Sequence, residues 1–323
     1  MCGLVGMAGL GINKWDIQIF KELLYASALR GPHSTGVATI NHNSNKVVLK
    51  KTAFDANYYV NMDTNSKTPI LESIYPSVFI GHTRWATKGK VTSANAHPFD
   101  TGRFVSAHNG TLQDFKYNKK NQEETDSEMM FRDMESRGVQ TVLEDLDYDA
   151  AYAVSIYDRK TKTLILANNG RRPLSFAINT RRNVMYWASE YLMLAWILTR
   201  NEEDFSAFYA NKDTIFKFKP EKINSRATSD RPCWTCDDVE KKKFFQMTSV
   251  SEAELPWDNI LTDPDVSVTS SIGKEIRSVM DTCGGCGVDL QDEELFRCKK
   301  CLAKKKAVID YTDIQSTDER AVG

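Results

Sequence analysis

The sequence predicts an α+β layered fold in which antiparallel sheets are covered by helices. Short apolar runs punctuated by polar turns come in groups, and helix-period stretches lie between the groups instead of alternating strictly with single strands. No repeat of about 20 to 50 residues points to a solenoid or propeller. At 323 residues the chain has room for on the order of two domains.

Cys2 to Ala8 is a short apolar run spaced by Gly3 and Gly6, the pattern of a buried strand approached closely by other backbones. From Trp15 to Leu29 the apolar positions Trp15, Ile19, Phe20, Leu23, Leu24 and Ala28 recur at helical steps, and Arg30-Gly31-Pro32 ends the helix. Gly36 to Ile40 and Lys46 to Thr52 flank a cluster of turn formers and predict a hairpin. Val78 to His82 and Phe104 to His108 read as strands. A helix follows Thr125-Asp126, has Glu128 in its first turn and ends at Arg137-Gly138. Four more strands, 151–157, 164–168, 174–178 and 183–188, precede a helix over 190–200 and a strand over 214–219. Beyond Pro220 the periodicity fades, so 221–273 reads as a linker carrying an extra C-x-x-C.

Charge and composition exclude several classes. The net charge is -1 from 42 basic and 43 acidic residues, so no global field drives binding to nucleic acid or acidic lipid. The longest apolar run, Tyr191 to Leu198, is eight residues, far short of the roughly 20 that span a membrane. The first residues lack the positive and apolar regions of a secretory signal, which sets the expectation of a cytoplasmic protein without membrane contact.

Six of the seven cysteines form three C-x-x-C pairs, a spacing that favours metal ligation over disulfides in a reducing compartment. Cys283-x2-Cys286-x11-Cys298-x2-Cys301 has the spacing of a four-cysteine zinc ribbon, and thiolates in tetrahedral geometry favour structural zinc. Residues 274–323 are therefore expected to be a small zinc-binding module. Cys233 and Cys236 lack two further ligands, so a shared metal site, a redox pair and no ligand at all stay open. Arg297, Lys299, Lys300, Lys304, Lys305 and Lys306 make a basic patch that reads either as a weak nucleic-acid contact or as a solvated face.

Cys2 stands apart. Read alone it is a small hydrophobe in a strand. Removal of Met1 would give it a free α-amine with an ordinary pKa of about 7.7–8.0, able to take the proton of its own thiol, so nucleophile and base would share one residue.

The segments MCGLVGMAG, LRGPHSTG, GHTRWATKG, NAHPF, SAHNGTLQDF and TDSE occur in that order. Together they resemble the class II glutamine amidotransferases, whose glutaminase domain is an N-terminal nucleophile hydrolase. The resemblance covers residues 1–220 and is greatest to the glutaminase domain of glucosamine-6-phosphate synthase, while RGPHSTG resembles a segment of asparagine synthetase. It implies a four-layer αββα sandwich and hydrolysis of L-glutamine to glutamate and ammonia through a thioester on Cys2. It also assigns Arg84 and Thr87 to the substrate carboxylate, Asp126 to its ammonium, Trp85 to the pocket wall, Asn109 and Gly110 to the oxyanion, and Arg30 to the neighbourhood of the nucleophile. Lys88 and His33 depart from the usual motif residues, His and Asp respectively, beside the site. About 100 residues follow the resemblance, fewer than the acceptor domains of familiar members, so the expected ammonia acceptor is a separate protein. Two other readings are a zinc-dependent binding protein built on a glutaminase-like domain and an amidohydrolase acting on a related amide.

Overall fold

The computed structural model describes residues 1–240 apart from 87–89, 113–114, 118–124, 148, 180, 225 and 228–231. These belong to the first of two units, Met1–Phe244. The zinc-type cysteines Cys283, Cys286, Cys298 and Cys301, the basic patch and most of the expected linker lie outside the described residues.

The strands are β1 (Gly3–Gly9), β2 (Ser34–Ile40), β3 (Val47–Thr52), β4 (Val78–Arg84), β5 (Phe99–Asp100), β6 (Phe104–Thr111), β7 (Ala151–Asp158), β8 (Thr163–Asn168), β9 (Ser175–Asn179), β10 (Val184–Ala188), β11 (Phe205–Tyr209), β12 (Thr214–Phe218) and β13 (Trp234–Asp238). The α-helices are α1 (Lys14–Ser27), α2 (Ala56–Thr64), α3 (Asp126–Arg137), α4 (Val139–Asp145) and α5 (Tyr191–Arg200). One sheet has seven strands in the order β11-β9-β10-β1-β4-β2-β3, and the other has six in the order β13-β12-β8-β7-β6-β5. Strand pairing is antiparallel in both.

Three apolar layers hold these elements together. Leu4, Ile80, Val105, Leu166, Phe176 and Trp187 fill the space between the sheets. Phe20, Leu23 and Leu24 of α1, with Tyr59 of α2 and Leu194 of α5, cover the outer face of the seven-stranded sheet over Val5, Met7 and Phe79. Met130, Phe131 and Met134 of α3, with Val142 and Leu143 of α4, cover the other sheet over Tyr152, Val154 and Ile156. The period-2 alternation of β1 sends Leu4 and Ala8 inward and Val5 and Met7 toward the helices, so both of its faces are apolar.

Local chemistry fixes the helix starts. Asn13 Oδ1 accepts from the N–H groups of Trp15 and Asp16, and Asp16 Oδ2 accepts from the Asn13 N–H, a reciprocal cap on α1. Thr125 Oγ1 accepts from the Glu128 N–H and starts α3, which leaves Asp126 in its first turn.

Several short elements were not expected from the sequence: α2, α4, β5, β11 and β13. The last alters the reading of 221–273 as linker. Trp234–Asp238 pairs along β12, and the Trp234 ring packs against Phe176 and Phe208 at centroid distances of 5.1 and 5.0 Å. An edge strand with one inward aromatic has no alternation to reveal it. Cys236 therefore lies within a strand and Cys233 immediately before it, both as free thiols. Among the described residues no cluster of three or more His, Cys, Asp or Glu could hold a metal ion.

Gly6 sits under the fully buried Trp187, where a Cβ would lie 2.0 Å from the indole. We expect Gly6→Ala to cost about 1–3 kcal/mol through overpacking, read as a lowered midpoint in thermal or denaturant unfolding. A midpoint matching the wild type would show that the layer between the sheets can yield at this point.

Candidate active site

The antiparallel order brings distant segments to one end of the paired sheets. Because β1 runs opposite to both β4 and β10, the start of β1 lies beside the ends of its two neighbours, and Arg84 and Ser189 approach Cys2. The Cys2 carbonyl is held from two directions: Arg30 Nε donates to it at 2.9 Å and Asn109 Nδ2 at 3.0 Å. Asn109 Nδ2 also donates to Ser189 Oγ at 2.8 Å, and that oxygen accepts the Leu4 N–H at 2.8 Å. Arg30 pairs in turn with Glu190. The thiol of Cys2 receives the Trp85 backbone N–H at 3.2 Å.

A cavity of about 190 Å³ opens beside this thiol. It is smaller than the roughly 300–1,000 Å³ of pockets for drug-sized ligands and suits a small molecule. Cys2, Arg84, Trp85, Gly110 and Asp126 of the sequence-predicted residues line it. Arg30 and Asn109 instead grip the backbone of Cys2 from behind. Thr87, like Lys88, lies outside the described residues. The cavity is also lined by Met1, His97, His108, Thr111, Thr125, Ser127 and Arg172, none of which sequence reasoning had assigned to the site. His97 and His108 stood inside the quoted NAHPF and SAHNG segments and could have been found there. Arg172, in the connection from β8 to β9, carried no local signal.

Gly110, Asp126 and Trp85 each have a physical reason for their place. Gly110 has φ +148°, and a Cβ there would lie 1.7 Å from the Ala151 carbonyl oxygen, so only glycine lets β6 run this close to β7 at the cavity wall. Asp126 is held by the N–H groups of Leu112, at 3.1 Å, and Ser127, at 2.8 Å. Trp85 is braced by the sequence departure at His33, whose Nδ1 accepts the Ala86 N–H at 2.9 Å and whose ring lies 5.1 Å from the indole.

Burial pushes the Cys2 thiol up from its ordinary pKa, while the Trp85 N–H, the N-terminal amine, Arg84 and Arg30 pull the other way. The net effect keeps it protonated near neutrality, so attack by sulfur requires a base. Burial also draws Arg84 down, offset by the negative charges that Cys2 and Asp126 can carry. One cavity thus presents a thiol, a guanidinium and a carboxylate: a nucleophile and two opposite charges.

His97 and His108 of the cavity wall, with His82, form a layer of buried imidazoles. His108 Nε2 faces the Ala151 carbonyl at 3.3 Å, which can only accept, so this nitrogen carries the proton and Nδ1 accepts from Ser127 Oγ at 2.8 Å. The His108 N–H donates to His97 Nδ1 at 3.2 Å, and His82 Nε2 donates to the His108 carbonyl at 3.1 Å. Burial first, and then neighbouring imidazole, draws His82 down to about 3; His97 and His108 are lowered as well, chiefly by burial.

Residues 55–178 match the family model of class-II glutamine amidotransferases. Over 202 residues the chain is 30% identical to a glutamine–fructose-6-phosphate aminotransferase (isomerizing) of Streptococcus mutans, covering 57% of this chain and 32% of that protein. Over 287 residues it is 28% identical to the protein of the same description from Bacillus licheniformis, covering 81% of this chain and 44% of the relative. The chain thus spans less than half the length of these relatives. Among solved structures, the glutamine phosphoribosylpyrophosphate amidotransferase of B. subtilis, complexed with ADP and GMP, shares the fold with a TM-score of 0.53 at 18% identity, over 74% of this chain and 49% of that one. A structure described as the allosteric regulatory enzyme of purine biosynthesis matches with a TM-score of 0.54, also at 18% identity, over the same shares of the two chains.

The neutral imidazole layer has a consequence for stability. The unfolded chain titrates histidine near about pH 6.5, whereas folded His82 resists protonation down to about 3. Below the first value the unfolded state binds protons that the folded state refuses, so stability is full above about pH 6.5 and falls as pH drops toward about 3. His82 alone accounts for about 2 kcal/mol of loss by about pH 5. Denaturant unfolding of the wild type and His82→Gln at about pH 7.5 and about pH 5 measures this. The variant should lose about 2 kcal/mol less on acidification, and equal losses would contradict a buried neutral ring.

Proposed function

We propose that this chain, an enzyme with a class II glutamine amidotransferase domain, hydrolyses L-glutamine to glutamate and ammonia, with Cys2 as nucleophile. The observation that carries the reading is the thiol of Cys2 on the same small cavity as Arg84 and Asp126. Glutamine is a zwitterion with a side-chain amide, so a site for it needs a cation, an anion and a nucleophile set apart from both.

In this reading Arg84 forks onto the α-carboxylate and Asp126 takes the α-ammonium. Removal of Met1 exposes the α-amine of Cys2, which accepts the thiol proton. The sulfur then attacks the amide carbon, and the carbonyl oxygen becomes an oxyanion facing the Gly110 N–H and the Asn109 amide. Asn109 serves there by exchanging one of its two present acceptors, Cys2 O and Ser189 Oγ. The proton held by the α-ammonium passes to the amide nitrogen, the C–N bond breaks, ammonia leaves and a thioester remains. Water then attacks the thioester carbon, giving up a proton to the α-amine. The C–S bond breaks, and glutamate and the free thiol are regenerated. Trp85 walls the cavity, and Arg30 keeps the Cys2 backbone in register.

Two further parts of the reading rest on sequence. Ammonia is passed to an acceptor on a separate protein, and Cys283, Cys286, Cys298 and Cys301 hold a structural zinc ion by virtue of their spacing.

The test is ammonia release from glutamine by protein whose N-terminus has been read by mass spectrometry. Cys2→Ala should abolish release with an unchanged unfolding midpoint, because it removes a sulfur and little buried volume. Wild-type turnover by that variant would overturn the mechanism, and so would full activity with Met1 retained. Asp126→Asn should raise KM about tenfold or more with a smaller effect on kcat, as expected when a charge-assisted contact is made equally in ground and transition states.

A further inference from the structure

The charges on the cavity wall do not match glutamine one for one. Among the described residues that line it, Asp126 is the one acidic side chain, while Arg84 and Arg172 are both cationic. His97 and His108 add no charge, since burial keeps them neutral near pH 7. A zwitterionic amino acid brings one ammonium, for Asp126, and one carboxylate, for two guanidinium groups.

Arg172 is half-buried and lines the cavity wall. Its Nη1 donates to the Arg171 carbonyl at 2.8 Å, using one of the five N–H donors of the group. It also acts electrostatically on His108, another residue of the cavity wall, so its charge is felt within the site. The α-ammonium and α-carboxylate of an amino acid leave the same carbon, so a ligand whose ammonium meets Asp126 brings its carboxylate into the one small cavity that both arginines line.

We infer that Arg172 is a second carboxylate-binding residue, which together with Arg84 selects amides bearing an α-carboxylate. The inference rests on the glutaminase reading and adds a determinant outside the motifs that suggested it. Its contact is with the carboxylate, remote from the amide, so it belongs to ground state and transition state alike.

The experiment compares Arg172→Gln and Arg172→Lys with the wild type on L-glutamine and on 4-aminobutanamide, which is glutamine without its α-carboxylate. The second compound is used as a substrate or, if it turns over slowly, as a competitive inhibitor of glutamine hydrolysis. For glutamine, Arg172→Gln should raise KM about tenfold or more with kcat within about twofold, and Arg172→Lys should recover part of the loss. For 4-aminobutanamide, KM or Ki should be unchanged, because the group that Arg172 binds is missing. An unchanged KM for glutamine, or an equal loss for both compounds, would overturn the assignment. Failure of the glutaminase reading would show separately, as wild-type protein that releases no ammonia from glutamine.

Discussion

The first strand of this protein lies in the middle of its seven-stranded sheet, and the architecture of the site depends on that. A central strand must satisfy the backbone groups of both neighbours and bury both faces, so β1 cannot shift without unpairing β4 and β10. Residue 2 consequently has a fixed position although it is almost at the chain terminus, where disorder is the usual outcome. The clamp of Arg30 and Asn109 on the Cys2 carbonyl extends this order past the end of the ladder. Asn109 comes from the opposite sheet, so the clamp also ties the two sheets together where they open toward the cavity.

Much of the fold was legible because the long elements have both pattern and punctuation. Helix α1 shows its buried stripe and its stop at Gly31-Pro32, and the β2–β3 hairpin shows its turn. What stayed hidden were elements whose formation is decided by partners far away in sequence. Helix α2 offers Tyr59 and Val60 as a short apolar face, and its anchoring depends on Asp63, fully buried and bonded to Lys50 and to the N–H groups of Ile70 and Leu71. No periodicity encodes that. The site divides in the same way. Cys2, Arg84 and Asp126 stood in recognisable segments, whereas Ser189 reaches the site because antiparallel pairing carries the end of β10 there, and Arg172 because the connection from β8 to β9 passes along the cavity. The part played by Asn109 in gripping the Cys2 backbone was also beyond sequence, since it is a matter of which acceptor lies within reach of an amide.

The imidazole layer and the charged cavity wall complement each other. Neutral rings at the wall carry no positive charge that would compete with a ligand's ammonium for Asp126 or repel Arg84. Holding three histidines neutral in a row also commits their hydrogen-bond roles. The carbonyl of Ala151 fixes the tautomer of His108, and that ring then aligns Ser127 beside Asp126.

Trp234 shows where this unit can be cut. Its indole seals the aromatic group formed by Phe176, Phe208 and Phe218 and, with the rest of β13, occupies the outer side of β12. A chain ended near residue 220, where the motif resemblance stops, would retain every assigned active-site residue. It would also turn β12 into a bare sheet edge with aromatic rings beside it, the surface on which strands of separate molecules pair. Such a fragment would fail by self-association, with its chemistry intact.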